Sequence, residues 1–261
     1  MSSSTVSQSR PGRPRAAEAG TSEAGASGLS AREQILDAAA ALFVESGFSG
    51  TSTRAIADRV GIRQQSLYYH FAGKDEILVE LLSNSVRPSN EFVRIIESHV
   101  SPGADGERAG RGAGGAAAGA LYALASMDAA TLRATPHNIG VLYLQPEIQD
   151  ERFDAFRAER ARLREAYGRL GAAAAHPDVA AVLDERHLGT LLIQLAEVVI
   201  QLRSEGDADP ADDDVIAASC LRVLGLTPAE IEAARVEAEE LIARCVPGPL
   251  PAPRPAPAGP A

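Results

Sequence analysis

Apolar side chains recur at three- and four-residue spacing along most of the chain, and no stretch alternates convincingly enough to read as a strand. Ser30-Ala31-Arg32-Glu33 has the Ser-x-x-Glu form of a capping box, so a helix is predicted to start there. Ile35, Leu36, Ala39, Leu42 and Phe43 follow on one face, and Gly47 suits its end. A short helix over Thr53–Val60 turns Ile56, Ala57 and Val60 inward, with Ser52 or Thr51 as its cap and Gly61 as its break. A third, Gln64–His70, buries Leu67, with Phe71 just beyond. A fourth starts near Lys74 and carries Ile77, Leu78, Leu81 and Leu82; Pro88 is expected to kink or end it.

Farther on, 146–175 reads as one long amphipathic helix with Phe153, Phe156, Leu163, Tyr167 and Leu170 on a stripe. Residues 186–203 are apolar over most of the helix circumference: Leu188, Leu191, Leu192, Leu195, Val198, Val199 and Leu202 form the main face, widened by Ile193 and Ile200. A shorter helix covers 212–224, and Thr227-Pro228-Ala229-Glu230 is a second capping box that opens a last helix ending near Cys245. The fold class is all-α, a small N-terminal three-helix unit followed by a larger helical body. No repeat of fixed period is present. The divisions expected are 1–28, a Ser/Gly/Ala-rich basic leader without core residues; 29–74, the three-helix unit; 75–246, the body; and 247–261, a tail with seven prolines in fifteen residues. Residues 101–119, rich in Gly and Ala, are expected to be a loop running into a helix.

Composition narrows the class. With 45% hydrophobic residues in 261, the chain can bury a core. No apolar run is long enough for a membrane span and no secretory leader is expected, so a cytoplasmic protein is. Cys220 and Cys245 are too few for a disulfide framework. Nine basic and nine acidic residues balance up to Arg87, so the net charge of −10 belongs wholly to the remainder. Within the neutral part, residues 48–74 hold four bases against one acid. Such a head on an acidic body suits a chain that meets a polyanion at one end, although ordinary charge clustering gives the same pattern.

Residues 51–74 carry the chemistry. Two short helices joined by a tight turn at Gly61, with the small Ala57 where they cross, form a helix-turn-helix. The outer face of the second helix presents Arg63, Gln64, Gln65, Ser66 and Tyr68, amide and hydroxyl groups able to hydrogen-bond base edges in the major groove. Thr53, Arg54, Tyr68, His70 and Lys74 are placed at the rim, where phosphates lie. An ordinary three-helix unit with a polar surface is the plainer alternative.

The strings Ile35-Leu36-x-Ala38-Ala39-x-x-Leu42-Phe43-x-x-x-Gly47-Phe48, Thr51-Ser52-Thr53-Arg54-x-Ile56-Ala57, Val60-Gly61-Ile62 and Ser66-Leu67-Tyr68-Tyr69-His70-Phe71-x-x-Lys74-Asp75-Glu76-x-Leu78 resemble the DNA-binding domain of the tetracycline-repressor (TetR) family. The resemblance covers about a fifth of the chain. It implies a homodimeric transcription regulator, usually a repressor, released from a near-palindromic operator when a small effector binds the helical body. It also implies a four-helix bundle between subunits, for which 186–203 and 212–224, with Ile216, Cys220, Val223 and Leu224, are the candidates. The chain's own core is the alternative destination of those residues. Control by a protein partner, with no small-molecule effector, is the alternative mode of regulation. No operator or effector is identified.

Candidate effector-binding residues are the polar and aromatic groups on apolar helices: Tyr122, His137, Asn138, Tyr143, Gln194 and Glu197. Thr190, Gln194, Glu197 and Gln201 share a stripe that forms either a cavity wall or a solvent edge. Other signals lead nowhere. Gly110-Arg111-Gly112-Ala113-Gly114-Gly115 matches G-x-G-x-x-G without a strand before it. His70, His99, His137, His176 and His187 show no metal-ligand spacing, and no catalytic set is present, so neither metal nor cofactor nor enzymatic activity is expected. Residues 10–15, Arg-Pro-Gly-Arg-Pro-Arg, resemble a minor-groove arm, or are simply a basic leader.

Overall fold

The computed structural model describes residues 28–100 and 113–245. They form α1 (Ala31–Gly50), α2 (Thr53–Val60), α3 (Gln64–His70), α4 (Lys74–Val100), α5 (Ala113–Ala134), α6 (Asp154–Ala174), α7 (Pro177–Ala180), α8 (Glu185–Glu205), α9 (Asp212–Val223) and α10 (Pro228–Cys245). Three 3-10 segments, Pro136–Leu142, Pro146–Gln149 and Glu151–Phe153, join α5 to α6. No strand occurs among the described residues. The arm at 10–15 and the tail at 247–261 lie outside them.

The caps follow the sequence closely. Glu33 N donates to Ser30 Oγ at 3.3 Å, and the Glu33 carboxylate accepts from Ser30 N at 2.8 Å. Gly47, at φ 75, interrupts α1, which resumes for one turn to Gly50. Of the two possible caps of α2, Ser52 takes the role by accepting from Ala55 N at 3.1 Å. Thr51 is buried and donates backwards, to the carbonyls of Leu42 (3.1 Å) and Gly47 (2.9 Å). At the far end, Thr227 N and Oγ1 both donate to Glu230 Oε2 at 2.7 Å.

Two expectations are corrected. Pro88 neither ends nor interrupts α4, which continues to Val100. A proline removes one helical hydrogen bond, but packing on both sides of it outweighs that loss. Val86, Phe92, Val93 and Ile96 are buried, and the Ser85 and Ser89 hydroxyls bond into the body. Nor is 146–175 one helix. Asp150 is extended (φ −67, ψ 149), and its carboxylate accepts from Arg152 N at 3.1 Å. Arg157 then donates to the carbonyls of Ile148 (2.5 Å) and Asp150 (2.8 Å). An Asp side chain that satisfies local backbone donors competes with the helix, and the regular run begins only at Asp154.

α5 is the body's central element, packed against α4, α6, α8, α9 and α10. Its Ala-rich surface is buried nearly all round, because small side chains let several helices approach one axis. α6 and α8 cross still more closely, where Gly168 faces Gly189. The core is continuous between head and body, with Phe48 and Phe153 ring centroids 6.5 Å apart.

A polar cluster pins α4 inside this core. Asp128 is buried; Ser89 Oγ donates to its Oδ1 at 2.6 Å and Tyr167 OH to its Oδ2 at 3.0 Å. Burial pushes the carboxyl up from 3.8 to about 6, against the lowering effect of the two hydrogen bonds. The folded chain therefore holds this proton more tightly than the unfolded chain does. The stabilisation is complete below pH 4 and is lost as pH rises through 6. Urea unfolding at pH 4.5 and pH 8 should show Asp128→Asn gaining on the parent by roughly 2 kcal/mol at the higher pH. Parallel pH profiles for the two proteins would refute the burial account.

Candidate nucleic-acid interface

α2 and α3 are held on the core by Ile56 and Ala57 of α2, Leu67 of α3, and Phe71 just after it, all buried. Gly61 (φ 80) makes the left-handed turn that lets α3 fold back across α2 at Ala57. Arg32 of α1 locks the end of α3 in place. It donates to His70 O at 2.9 Å, lies 4.1 Å above the Phe71 ring, and pairs with Glu80 of α4.

The polar side of α3 points out. Arg63, Gln64, Gln65 and Ser66 are exposed, and Tyr68 is 50% exposed. Gln64 Nε2 donates to Thr53 Oγ1 at 3.0 Å and to Tyr68 OH at 3.4 Å, while Thr53 and Tyr68 share a hydrogen bond of 3.2 Å. Three of the expected DNA-contacting residues thus hold one another across the two helices. Gln65 stands outside this trio. Arg54, on the exposed edge of α2, meets only Asp58, at 3.8 Å. Arg59, by contrast, is paired with Glu45 through two bonds of 2.9 and 3.0 Å.

Lys74, expected at the phosphate rim, is half-buried at the junction of the head with α4. Its ammonium donates to Phe48 O (2.7 Å) and Thr51 O (2.9 Å), and sits 4.4 Å from the Phe48 ring centroid. The end of α1 leaves carbonyls without helical partners, and the lysine satisfies them while tying α4 to the head. One exposed residue was not anticipated. Tyr69 is 88% exposed, beside His70 with ring centroids 5.3 Å apart. Its position four residues after Gln65 and three after Ser66 is the signal that would have found it.

The body candidates do not converge on one site. Tyr122 is buried and donates to Asp214 Oδ1 at 3.2 Å; burial and that carboxylate push its phenol up to about 12. Tyr143 packs against Phe156, and its hydroxyl shares a 2.7 Å hydrogen bond with Ser85. Glu197 is held by Arg160 through bonds of 2.5 to 2.9 Å, and Gln194 donates to Glu197 at 2.6 Å. Thr190 and Gln201 bond within their own helix, to Arg186 O and to Glu205. Thr190, Gln194 and Gln201 are exposed, whereas Glu197 is largely buried against Arg160. Asn138 is bonded to the end of α8. Only His137 opens onto a cleft, of about 400 Å³, between α1 and the segment Pro136–Leu142.

α8 divides its apolar residues between two faces. Leu188, Leu192, Ile193 and Val199 are buried in the chain's own core, as are Ile216, Cys220 and Leu224. Exposed instead are Leu191 and Val198, which with half-buried Leu195 and Leu202 make a stripe at i, i+4, i+7 and i+11. On α9 the exposed apolar positions are Val215 and Val223. Cys220 is buried and its thiol is pushed up to about 12, which leaves it unreactive. Gly114 and Gly115 begin α5 with no strand before them among the described residues. No metal-ligating cluster occurs among the described residues, and no described helix is long and apolar enough to cross a membrane.

Comparison with known proteins agrees with the geometry. The model of the family described as "Bacterial regulatory proteins, tetR family" matches residues 35–81. The transcriptional repressor KstR2 of Mycobacterium tuberculosis is 51% identical over 53 residues, 20% of this chain and 26% of KstR2. The class D tetracycline repressor protein of Escherichia coli is 41% identical over 56 residues, again 20% of this chain and 26% of the repressor. The match thus spans about a quarter of these curated relatives' length. The crystal structure of Mycobacterium smegmatis AmtR reaches much further: 41% identity and a TM-score of 0.68, over 82% of this chain and 95% of that one.

Proposed function

The chain belongs to the TetR family of bacterial regulatory proteins, and from that premise we propose that it is a sequence-specific DNA-binding repressor, acting in the cytoplasm as a homodimer and released from its operator by a small molecule. It is not an enzyme: its relatives regulate transcription. The observation that carries the reading is the exposed polar surface of α3 on a unit that buries Ile56, Ala57, Leu67 and Phe71 beneath it. Gln65 is the principal base reader, because its amide is not engaged by its neighbours. Gln64, Thr53 and Tyr68 set the phenol of Tyr68 against the backbone, joined there by Arg54, Arg63, Ser66, Tyr69 and His70.

The exposed stripes of α8 and α9 support the homodimer, since an apolar patch of this kind on an otherwise charged surface marks an interface. Pairing two heads predicts half-sites about one helical turn apart, roughly 34–36 Å.

A selection from random duplexes, followed by footprinting on the chosen sequence, tests the reading. One near-palindromic site is expected. Gln65→Ala should then lose discrimination at one base pair per half-site, by about 1–3 kcal/mol. Gln64→Ala should weaken all sequences alike, by disturbing Tyr68. The proposal fails if the parent chain selects no duplex, or if Gln65→Ala binds the selected site and its single-base variants as the parent does.

A further inference from the structure

We propose that the cleft between α1 and the segment Pro136–Leu142 is an effector site for a small organic cation, an amine carried on an apolar body. This rests on the reading of the chain as a DNA-binding regulator, and adds the place and chemical class of its ligand. The cleft holds about 400 Å³, within the range of small-molecule sites. Leu36, Leu81 and Ile139 supply apolar wall, whereas the ionisable groups on it are Glu33, Asp37 and His137, with no lysine or arginine among the lining residues. Asp37 is half exposed and uses Oδ1 for a 2.9 Å hydrogen bond to His137 Nε2. An apolar slot whose acidic groups outnumber its bases selects a cation with a hydrophobic body over an anion of the same shape.

Position turns this slot into a control point. His137 (φ 57) and Asn138 (φ 49) are the non-glycine residues with left-handed backbone among those described. Such strain persists only where the surroundings hold it, and here it is held from both sides. His137 bonds to Asp37 of α1, in the head, whereas Asn138 Nδ2 donates to Ile200 O (2.9 Å) and Ser204 Oγ (3.0 Å), at the end of α8. Two adjacent strained residues therefore join the DNA-binding head to the helix that carries the exposed apolar stripe. On the α8 side the segment packs closely: a Cβ on Gly140 would lie 2.5 Å from Ile200 Cδ1. A ligand in the cleft displaces α1, and with it the head, relative to α8. It regulates because the open and closed clefts bind it unequally.

The test uses the full chain and calorimetry with 2-phenylethylamine and hexylamine, set against phenylacetate and 2-phenylethanol. Both amines are expected to bind once per chain, and the acid and the alcohol at least tenfold more weakly or not at all. Asp37→Asn, which removes the charge, and Ala134→Leu, which fills the cleft, should each weaken amine binding at least tenfold, with circular dichroism confirming the fold. Bound amine should change affinity for the selected duplex at least fivefold. The proposal is overturned if neither amine binds, if acid or alcohol binds equally well, if both variants bind amine like the parent, or if saturating amine leaves duplex affinity unchanged. Failure to select any duplex removes the DNA-binding reading instead, and calorimetry still reports on the cleft.

Discussion

Leu191→Asp combined with Val198→Asp will leave the chain folded, make it monomeric, and lower its affinity for the selected duplex at least ~100-fold. In the single chain these side chains are 44% and 41% exposed, so a carboxylate at either position is hydrated and the core does not feel it. In the proposed dimer the same positions face their counterparts, and buried, unpaired carboxylates there oppose association. Two linked heads on a two-part site gain a factor of 10²–10⁴ over one head, by effective concentration alone, and a monomer forfeits it. Sedimentation at micromolar concentration, with circular dichroism as the check on folding, measures the first part; duplex titration measures the second. Leu192→Asp is the contrast: Leu192 is fully buried, and that variant should unfold. A double mutant that still sediments as a dimer would place the interface elsewhere.

Gly189→Ala will be the most destabilising single-methyl addition in the body. A Cβ at this position would lie 2.4 Å from the carbonyl oxygen of Arg164 and 3.2 Å from the amide nitrogen of Gly168. Both are backbone atoms of α6, so no rotamer change relieves the clash and the two helices must separate. Overpacking of this kind costs about 3 kcal/mol or somewhat more, which for a chain of this size lowers Tm by roughly 6–12 °C. Gly115→Ala is the control, because nothing lies within 4 Å of the added methyl, and its effect should be small. Equal melting temperatures for the two variants would refute the close approach of α6 and α8.

The head was legible because local rules decide it. Ser30 with Glu33, Ser52, Gly47 and Gly61 are capping and turn chemistry, which acts over four residues and survives in any tertiary setting. The outer face of α3 follows from helical period once Leu67 is assigned to the core. The partners of Lys74 are hidden from the sequence for a long-range reason: the carbonyls it caps belong to the end of α1 and its turn, 23 and 26 residues earlier.

The body was legible as helices but not as a site. The pairing of Glu197 with Arg160, 37 residues away, has no signal beside either residue, and Pro88 looks like a terminator until both its flanks are seen to pack. Period and caps alone determined that this chain is all helix, where most helices begin and end, and that the third helix of its head turns polar groups outward, because those are properties of neighbouring residues. Only the tertiary structure decided which apolar residues of α8 stay exposed, which polar ones are silenced by partners, and that a cleft opens at His137. Each of those depends on which distant segment covers a face, and pairing between segments far apart in the chain leaves no mark on either segment alone.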